Sequence, residues 1–201
     1  PDLIGSYMAI RDDVERVIST LHEHQATESH YYEIRAQAPD QLAPTTRAAR
    51  TIYLNKTCYN GLYRLNRRGE FNVPFGRYPK PNICPEENLR TVSQALRHVD
   101  LRVEPAANVC RRAKPGDLVY FDPPYLPVSS TACFTAYTQW KFDLEEQKEL
   151  AQVFRWLAAH QVHVVLSNSD VPILWELYEG FRIERVYARR AINSRADRRG
   201  P

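Results

Sequence analysis

The run Asp122-Pro123-Pro124-Tyr125 combines residue types that can hold and activate a planar amine. It follows the apolar run Val119-Tyr120-Phe121, which predicts a short strand, and the two prolines end that strand because neither has an N–H to donate. The Asp122 carboxylate and the Pro123 carbonyl can each accept a hydrogen bond from one N–H of an amine, and the Tyr125 ring can stack on a base. Ligands of open α/β sheets bind at the carboxyl ends of strands. The run therefore predicts a ligand site, and a proline-rich turn with a solvated aspartate is the alternative.

Hydrophobic periodicity and turn residues predict the elements that would position this run. Helices are predicted over residues 3–24, 44–58, 85–98, 143–160 and 172–179, with a weaker one over 28–38. Strands are predicted over 99–104, 118–122 and 162–166, with one or two more over 181–192. Residues 59–82 predict a hairpin or looped insert that turns at 67–70. Because strands and helices alternate from residue 99 onward, the fold class is α/β with a mostly parallel sheet.

Positive charge is concentrated in two segments although the net charge is only +3. Residues 47–80 contain eight basic residues and one acidic residue, and residues 182–199 contain seven arginines and two acidic residues. Such clustering on an otherwise acidic body is typical of proteins that bind polyanions. A pair of solvated basic faces is the alternative.

Length and composition limit the number of domains and the class of protein. The 201 residues suffice for one domain, or one domain with a small insert. No run of eighteen apolar residues occurs, and the start carries neither Met nor a signal-peptide pattern, so we expect no membrane span and a chain that begins inside a longer protein. The four cysteines form no Cys-x-x-Cys pair, which predicts free thiols in a reducing cytosol and no metal site.

These motifs resemble those of the Dam-type adenine-specific DNA methyltransferases, whose catalytic signature is Asp-Pro-Pro-Tyr. The segments 60–64 and 69–78 are similar to the DNA-contacting hairpin of that family. Residues 134–137 and 142–147 resemble the segment after its catalytic loop, and residues 167–170 and 189–194 resemble its last strands. The matches follow the family order across nearly the whole chain.

The resemblance implies a Rossmann-like methyltransferase sheet, which binds S-adenosylmethionine, with an inserted helical and hairpin subdomain for DNA recognition. It divides the chain into a helix of the methyltransferase core (1–27), the recognition subdomain (28–84) and the catalytic core (85–201). The family's glycine-rich cofactor turn has no counterpart among the seven isolated glycines. We therefore expect a partial sheet whose first strand region is missing, and weak cofactor binding by these residues alone.

The same resemblance implies roles for individual residues. Asp122, Pro123, Pro124 and Tyr125 would be catalytic, with Asp122 also against the cofactor. The residues expected to contact double-stranded DNA are Tyr59 as a wedge beside the flipped base, Asn60, Leu62, Arg64 and Pro74 near base edges, Arg77 on phosphate, and Asn66 without a more specific role. Hairpin packing remains open as the role of Leu62 and Pro74. We expect a cytoplasmic monomer of bacterial or phage origin, and a cognate restriction endonuclease is left open as a second partner.

Two other functions fit part of the pattern. A truncated or degenerate homologue would bind DNA without catalysis. A methyltransferase acting on RNA or on a protein amide would carry a related Pro-Pro-Tyr loop, but that loop usually begins with Asn. The aspartate at position 122 and the hairpin both argue against this second alternative.

Overall fold

The computed structural model describes residues 2–66, 68–127 and 142–187, which form two compact units spanning 2–105 and 106–187. The first unit is helical with a hairpin, and the second combines helices with a small sheet. The helices of the first unit are α1 Asp2–Asp12, α2 Val14–His22, α3 Glu28–Ala36, α4 Pro44–Thr57 and α5 Glu86–Leu96, with short 3-10 turns at Pro39–Gln41 and Tyr59–Gly61. The second unit contains α6 Ala106–Cys110, β1 Leu118–Phe121, α7 Leu144–Ala159, β2 His163–Leu166 and α8 Pro172–Leu177.

The single helix predicted over residues 3–24 is wrong, because the chain breaks at Asp13. This residue has an extended φ of −152°, and its side chain accepts a hydrogen bond from the Arg16 N–H. Aspartate is a preferred N-cap because its carboxylate satisfies an N–H that has no partner within the helix. Asp13 therefore ends α1 and starts α2.

Helix α4 lies at the centre of the first unit, where α1, α2 and α3 pack against it. Tyr53 of α4 and Tyr31 of α3 are fully buried. Each keeps its hydroxyl satisfied: Tyr53 donates to the Gln25 carbonyl at 2.8 Å and Tyr31 to the Val73 carbonyl at 2.8 Å. Buried tyrosines of this kind contribute a large apolar area and still pair their polar end. The Tyr31 bond also ties the hairpin to the helices.

Arg50 of α4 is a buried cation that joins two helices. Its guanidinium donates to the carbonyl of Ile34 at 3.0 Å and to that of Arg35 at 2.8 Å, at the carboxyl end of α3. Burial lowers the pKa of Arg50. The helix dipole and the carbonyls of the last turn favour a positive charge there, so Arg50 fixes α3 against α4.

The second unit is built on a β–α–β arrangement. Strands β1 and β2 are parallel, with Leu118 opposite His163 and Phe121 opposite Leu166. Helix α7 lies between them in the chain, and its Phe154 packs edge-on against Tyr178 and Phe181 at centroid distances of 5.2 and 4.9 Å. This packing forms the core on one face of the sheet. The other face exposes Leu118, Tyr120 and Val165.

Two strand predictions fail in the described residues. Residues 99–104 alternate apolar and polar residues but form no strand, because Val99 and Val103 are exposed and have no neighbouring strand to pack against. Residues 181–187 are likewise irregular, and Val186 is 85% exposed. Residues 188–192, the end of the last predicted strand, lie outside the described residues.

The mixed α/β class is confirmed, with a two-stranded parallel sheet in the described part of the chain. The functional division at residues 27 and 84 stays a prediction. The first compact unit extends from the amino end to residue 105, so it contains both the segment predicted as core and the segment predicted as recognition subdomain. Among the described residues, no helix is long and apolar enough to cross a membrane.

Candidate functional site

The Asp-Pro-Pro-Tyr run leaves the carboxyl end of β1, beside the carboxyl end of β2. Phe121 is buried and accepts a hydrogen bond from the Ser167 N–H at 3.0 Å, which extends the strand pairing by one step. Asp122 follows it and is exposed. The prolines prevent the ladder from continuing, so the loop turns away from the sheet at the edge where ligands of parallel sheets bind.

The Asp122 carboxylate is oriented by the hydroxyl of Ser167, the residue that follows β2. Ser167 Oγ donates to Asp122 Oδ1 at 2.8 Å, and the Tyr120 hydroxyl donates to Ser167 Oγ at 2.9 Å. Tyr120 and Ser167 meet on the exposed face of the sheet, because side chains two residues apart on a strand point the same way. Asp122 is thus held in one direction while it remains accessible.

The loop beyond Asp122 is held by side chains from α7 and from the end of β2. Gln147 donates to the Pro124 carbonyl at 3.0 Å. The Leu126 N–H donates to Asn168 Oδ1 at 3.2 Å, and Ser169 Oγ donates to the Leu126 carbonyl at 2.6 Å. The Tyr125 side chain, between these anchors, is 46% exposed.

The sequence did not reveal these holding residues. The sequence places 167–170 only at the end of a strand, where the structure also has them, and does not show that Ser167, Asn168 and Ser169 contact the Asp-Pro-Pro-Tyr run and Leu126. Gln147 carried a usable signal: it lies on the inward stripe of α7 with Leu150, Phe154 and Leu157, and it is fully buried. A polar residue on an apolar stripe needs a hydrogen-bond partner.

Residues 58–75 form the predicted hairpin. Antiparallel bridges join Cys58 to Phe75 and Leu65 to Phe71. The turn between the arms has Gly69 at a φ of +79°, a conformation that favours glycine. Arg67 lies outside the described residues.

Asn66 supports the hairpin turn through its side chain. Its Oδ1 accepts from the N–H groups of Arg68 at 2.9 Å and Glu70 at 3.0 Å, and its Nδ2 donates to the Glu70 carboxylate at 2.7 Å. This is the local bonding that asparagine commonly makes in turns. The predicted contact of Asn66 with DNA therefore requires a side chain that is already bonded within the turn.

Arg64 is exposed on one arm and oriented by the other. Its Nε donates to Asn72 Oδ1 at 2.7 Å and its terminal nitrogen to the Asn72 carbonyl at 3.1 Å. Its remaining N–H groups are available for a fork-shaped contact of the kind arginine makes with guanine. The sequence did not single out Asn72.

The other residues predicted to contact DNA differ in their exposure and in their contacts. Tyr59 is 51% exposed, and Pro74 is exposed next to the hairpin base. Leu62 is partly buried and packs against the helical core. Arg77 is exposed and forms an ion pair with Glu28 at 3.3 Å.

Asn60 adopts a strained backbone conformation at the hairpin base. Its φ is +53°, and its N–H donates to the Tyr78 hydroxyl at 2.8 Å. Tyr78 also lines an open groove of about 440 Å³ with Lys56 and Lys80. Outliers of this kind persist only where the surroundings hold them, and Tyr78 supplies one such support.

The cysteines of the described residues, Cys58, Cys84 and Cys110, are free thiols, and Cys133 lies outside the described residues. Burial raises the pKa of Cys58 to about 11. Cys84 lies close to His22 and Glu86, with the potential metal-ligating atoms within 4.8 Å of one another. The Glu86 carboxylate already pairs with His22 at 2.8 Å and with Arg90 at 3.0 Å, so an ion-pair network accounts for this cluster.

Sequence comparison identifies the family. The pattern of the D12 class N6 adenine-specific DNA methyltransferases matches residues 1–192. The chain belongs to this family. A type II methyltransferase of Methanocaldococcus jannaschii is 39% identical in an alignment 211 positions long that covers 98% of this chain and 73% of the relative. A type II methyltransferase of Lactococcus lactis subsp. cremoris is 36% identical in an alignment 207 positions long that covers 99% of this chain and 73% of the relative.

A DNA adenine methylase of Escherichia coli strain K12 is 37% identical over 197 residues, which cover 96% of this chain and 70% of the relative. The resemblance to adenine-specific DNA methyltransferases drawn from the motifs is thereby confirmed. Membership of the D12 class implies S-adenosylmethionine as the methyl donor and DNA as the substrate. The roles of the individual residues stay predictions.

Proposed function

We propose that the chain methylates the exocyclic amine of an adenine that has been flipped out of double-stranded DNA. The observation that carries this proposal is the position of Asp122. Its carboxylate is exposed at the carboxyl end of a parallel strand, and Ser167 orients it from the neighbouring strand. The loop fits the family's reaction, because its acceptors can bond the amine of an adenine and its aromatic ring can stack on the same base.

The Asp122 carboxylate and the Pro123 carbonyl would each accept a hydrogen bond from one N–H of the adenine amine. The lone pair of that nitrogen is delocalised into the ring, and these two acceptors favour the tetrahedral geometry in which it is released. Fixed acceptors that face developing positive charge are a form of electrostatic preorganisation. S-adenosylmethionine, when bound, supplies a methyl group on a positively charged sulfur, and an exposed carboxylate such as Asp122 is compatible with that charge.

Tyr125 would stack on the flipped adenine. The ring is partly exposed beside Asp122, so a base can reach it. Stacking on an aromatic side chain contributes about 1–3 kcal/mol per base. This is comparable to the few kcal/mol that it costs to remove a base from the duplex. Tyr125 would therefore offset much of that cost.

The hairpin would read the DNA sequence, with Arg64 as the principal reader of a base edge. The free edge of its guanidinium is exposed, and Asn72 fixes its direction. A two-point contact between arginine and guanine discriminates by about 1–3 kcal/mol. Tyr59, Asn60 and Pro74 are also exposed around the hairpin base, which supports a role for this surface in binding.

The finer division of the fold belongs to the same proposal. We infer a Rossmann-like sheet for the methyltransferase core and an inserted recognition subdomain over residues 28–84. The first inference is supported by the β–α–β arrangement, in which β1 and β2 are parallel and α7 lies between them in the chain. A β–α–β arrangement is the repeating unit of such sheets. The hairpin and the basic segment 47–80 support the second.

Transfer of labelled methyl groups to adenine-containing duplexes tests the proposal. Asp122→Ala should abolish transfer while duplex binding is retained. Glu149→Ala is the matched control, because it removes an exposed carboxylate from α7 of the same unit. Near-normal transfer by Asp122→Ala would refute the assigned role, and no transfer by the full-length native protein at saturating S-adenosylmethionine would refute the proposed activity.

A second comparison isolates the aromatic ring. Tyr125→Phe keeps the ring and should lower the transfer rate much less than Tyr125→Ala. Fluorescence of 2-aminopurine at the target position would report whether the base still leaves the duplex. Equal rates for the two variants would show that the ring does not stack on the target base.

A further inference from the structure

Two side-chain amides hold the peptide groups on both sides of Tyr125. Gln147 Nε2 donates to the Pro124 carbonyl at 3.0 Å, and Asn168 Oδ1 accepts from the Leu126 N–H at 3.2 Å. The amides are also bonded to each other, since Asn168 Nδ2 donates to Gln147 Oε1 at 3.0 Å. Three consecutive hydrogen bonds thus run from the peptide before Tyr125 to the peptide after it.

Gln147 is an unusual residue for its position. It is fully buried on a helix face that otherwise carries Leu150, Phe154 and Leu157. Burying an amide is costly unless its polar atoms are paired, and here the nitrogen and the oxygen each have a partner. An apolar residue would fill the same space without that requirement. The hydrogen bonds of the Gln147 amide therefore explain why a polar residue occupies this buried position.

We propose that Gln147 and Asn168 are positioning residues that fix the direction of the Tyr125 ring. The ring is 46% exposed, so packing alone does not determine where it points. Its direction depends on the backbone dihedrals of Tyr125, and the two amides hold the peptide groups that define them. The inference rests on the proposed function, in which this ring stacks on the flipped adenine.

A double-mutant cycle with Tyr125 tests the inference. Gln147→Met keeps the approximate volume and removes both hydrogen bonds. In single-turnover methylation it should lower the rate by about tenfold, the factor that corresponds to 1.4 kcal/mol. In the Tyr125→Ala background the same change should cost much less, because there is no ring left to direct.

Gln152→Met is the control, since Gln152 is exposed on the same helix and its loss should not change the rate. The dissociation constant for duplex DNA should be the same for the native protein, Gln147→Met and Gln152→Met. If Gln147→Met lowers the rate by the same factor with and without the Tyr125 ring, the amide only supports the fold and the inference is wrong. An inactive native protein would instead refute the proposed function, and the inference with it.

Gln147→Glu provides a second test if the methionine variant does not fold. A protonated carboxyl can donate to the Pro124 carbonyl, whereas a carboxylate has no donor and repels that oxygen. The transfer rate of Gln147→Glu relative to the native protein should therefore rise as the pH falls. A ratio that does not change with pH would overturn the inference.

Discussion

Gly76 lies where the returning arm of the hairpin crosses the end of α4, and this position has no space for a side chain. A Cβ added there would lie 2.6 Å from the carbonyl oxygen of Cys58 and 2.5 Å from a ring carbon of Tyr78. The arm cannot simply move away, because the Gly76 N–H donates to the Thr57 carbonyl at 2.8 Å. Gly76→Ala must therefore displace backbone rather than a flexible side-chain tip.

Overpacking of this kind costs about 1–3 kcal/mol. For a unit of roughly 100 residues, each kcal/mol lowers the melting temperature by about 4–8 °C. We expect Gly76→Ala to lower the melting temperature by at least about 4 °C. The DNA affinity should fall as well, because the displaced Tyr78 supports Asn60 at the hairpin base.

Gly5→Ala is the matched control for thermal and urea unfolding followed by circular dichroism. Gly5 lies inside α1 with no atom within 4 Å of an added Cβ. Alanine is preferred to glycine inside a helix by roughly 0.5–1 kcal/mol, so this variant should be as stable as the native protein or more stable. If Gly76→Ala unfolds at the native temperature, the close approach at the hairpin base does not constrain the fold as argued.

Three further predictions concern catalysis, recognition and pH. Ser167→Ala removes the hydroxyl that orients Asp122 and should slow single-turnover transfer about tenfold with unchanged DNA affinity; a native rate would contradict this. Arg64→Ala should relax discrimination among duplexes, whereas Arg77→Ala should weaken all of them equally and reduce the salt dependence of binding; the same binding profile for both would refute the division of roles. Burial and a neighbouring imidazole lower the pKa of His24 in the folded state, so stability should be lost as the pH falls through 6.5, the value of a free imidazole. His24→Phe should lose this component of the pH dependence, as urea unfolding at several pH values would show.

Local signals in the sequence predicted most elements of the fold. The capping box of Asp143 and Glu146 forms at the start of α7, and the proline at position 44 starts α4. The hairpin turn could be predicted from the sequence because Gly69 supplies the required backbone conformation. Such features depend on residues close together in the chain, and their physical cause is therefore present in the sequence itself.

Features that depend on distant partners could not be predicted in the same way. The alternation over residues 99–104 resembles a strand, but a strand needs a neighbour and none pairs with it in the described chain. The role of Ser167 requires knowing that β2 pairs with β1 in a register that brings it to Asp122. The break at Asp13 is a local feature, since the N-cap residue itself is visible in the sequence. It was missed because the apolar spacing continues across Asp13 and indicates a single helix.

The anchors of the Asp-Pro-Pro-Tyr loop also determine when that loop can form during synthesis. Asp122 is bonded to a residue 45 positions later in the chain, and Leu126 to residues 42 and 43 positions later. The two bridges of the hairpin join residues at most 17 positions apart, Cys58 with Phe75 and Leu65 with Phe71, and contacts that are close in sequence generally form sooner. The hairpin proposed to read DNA can therefore be complete while the ribosome is still adding the residues that order the Asp-Pro-Pro-Tyr loop. A nascent chain would acquire the means to recognise DNA before it acquires the means to modify it.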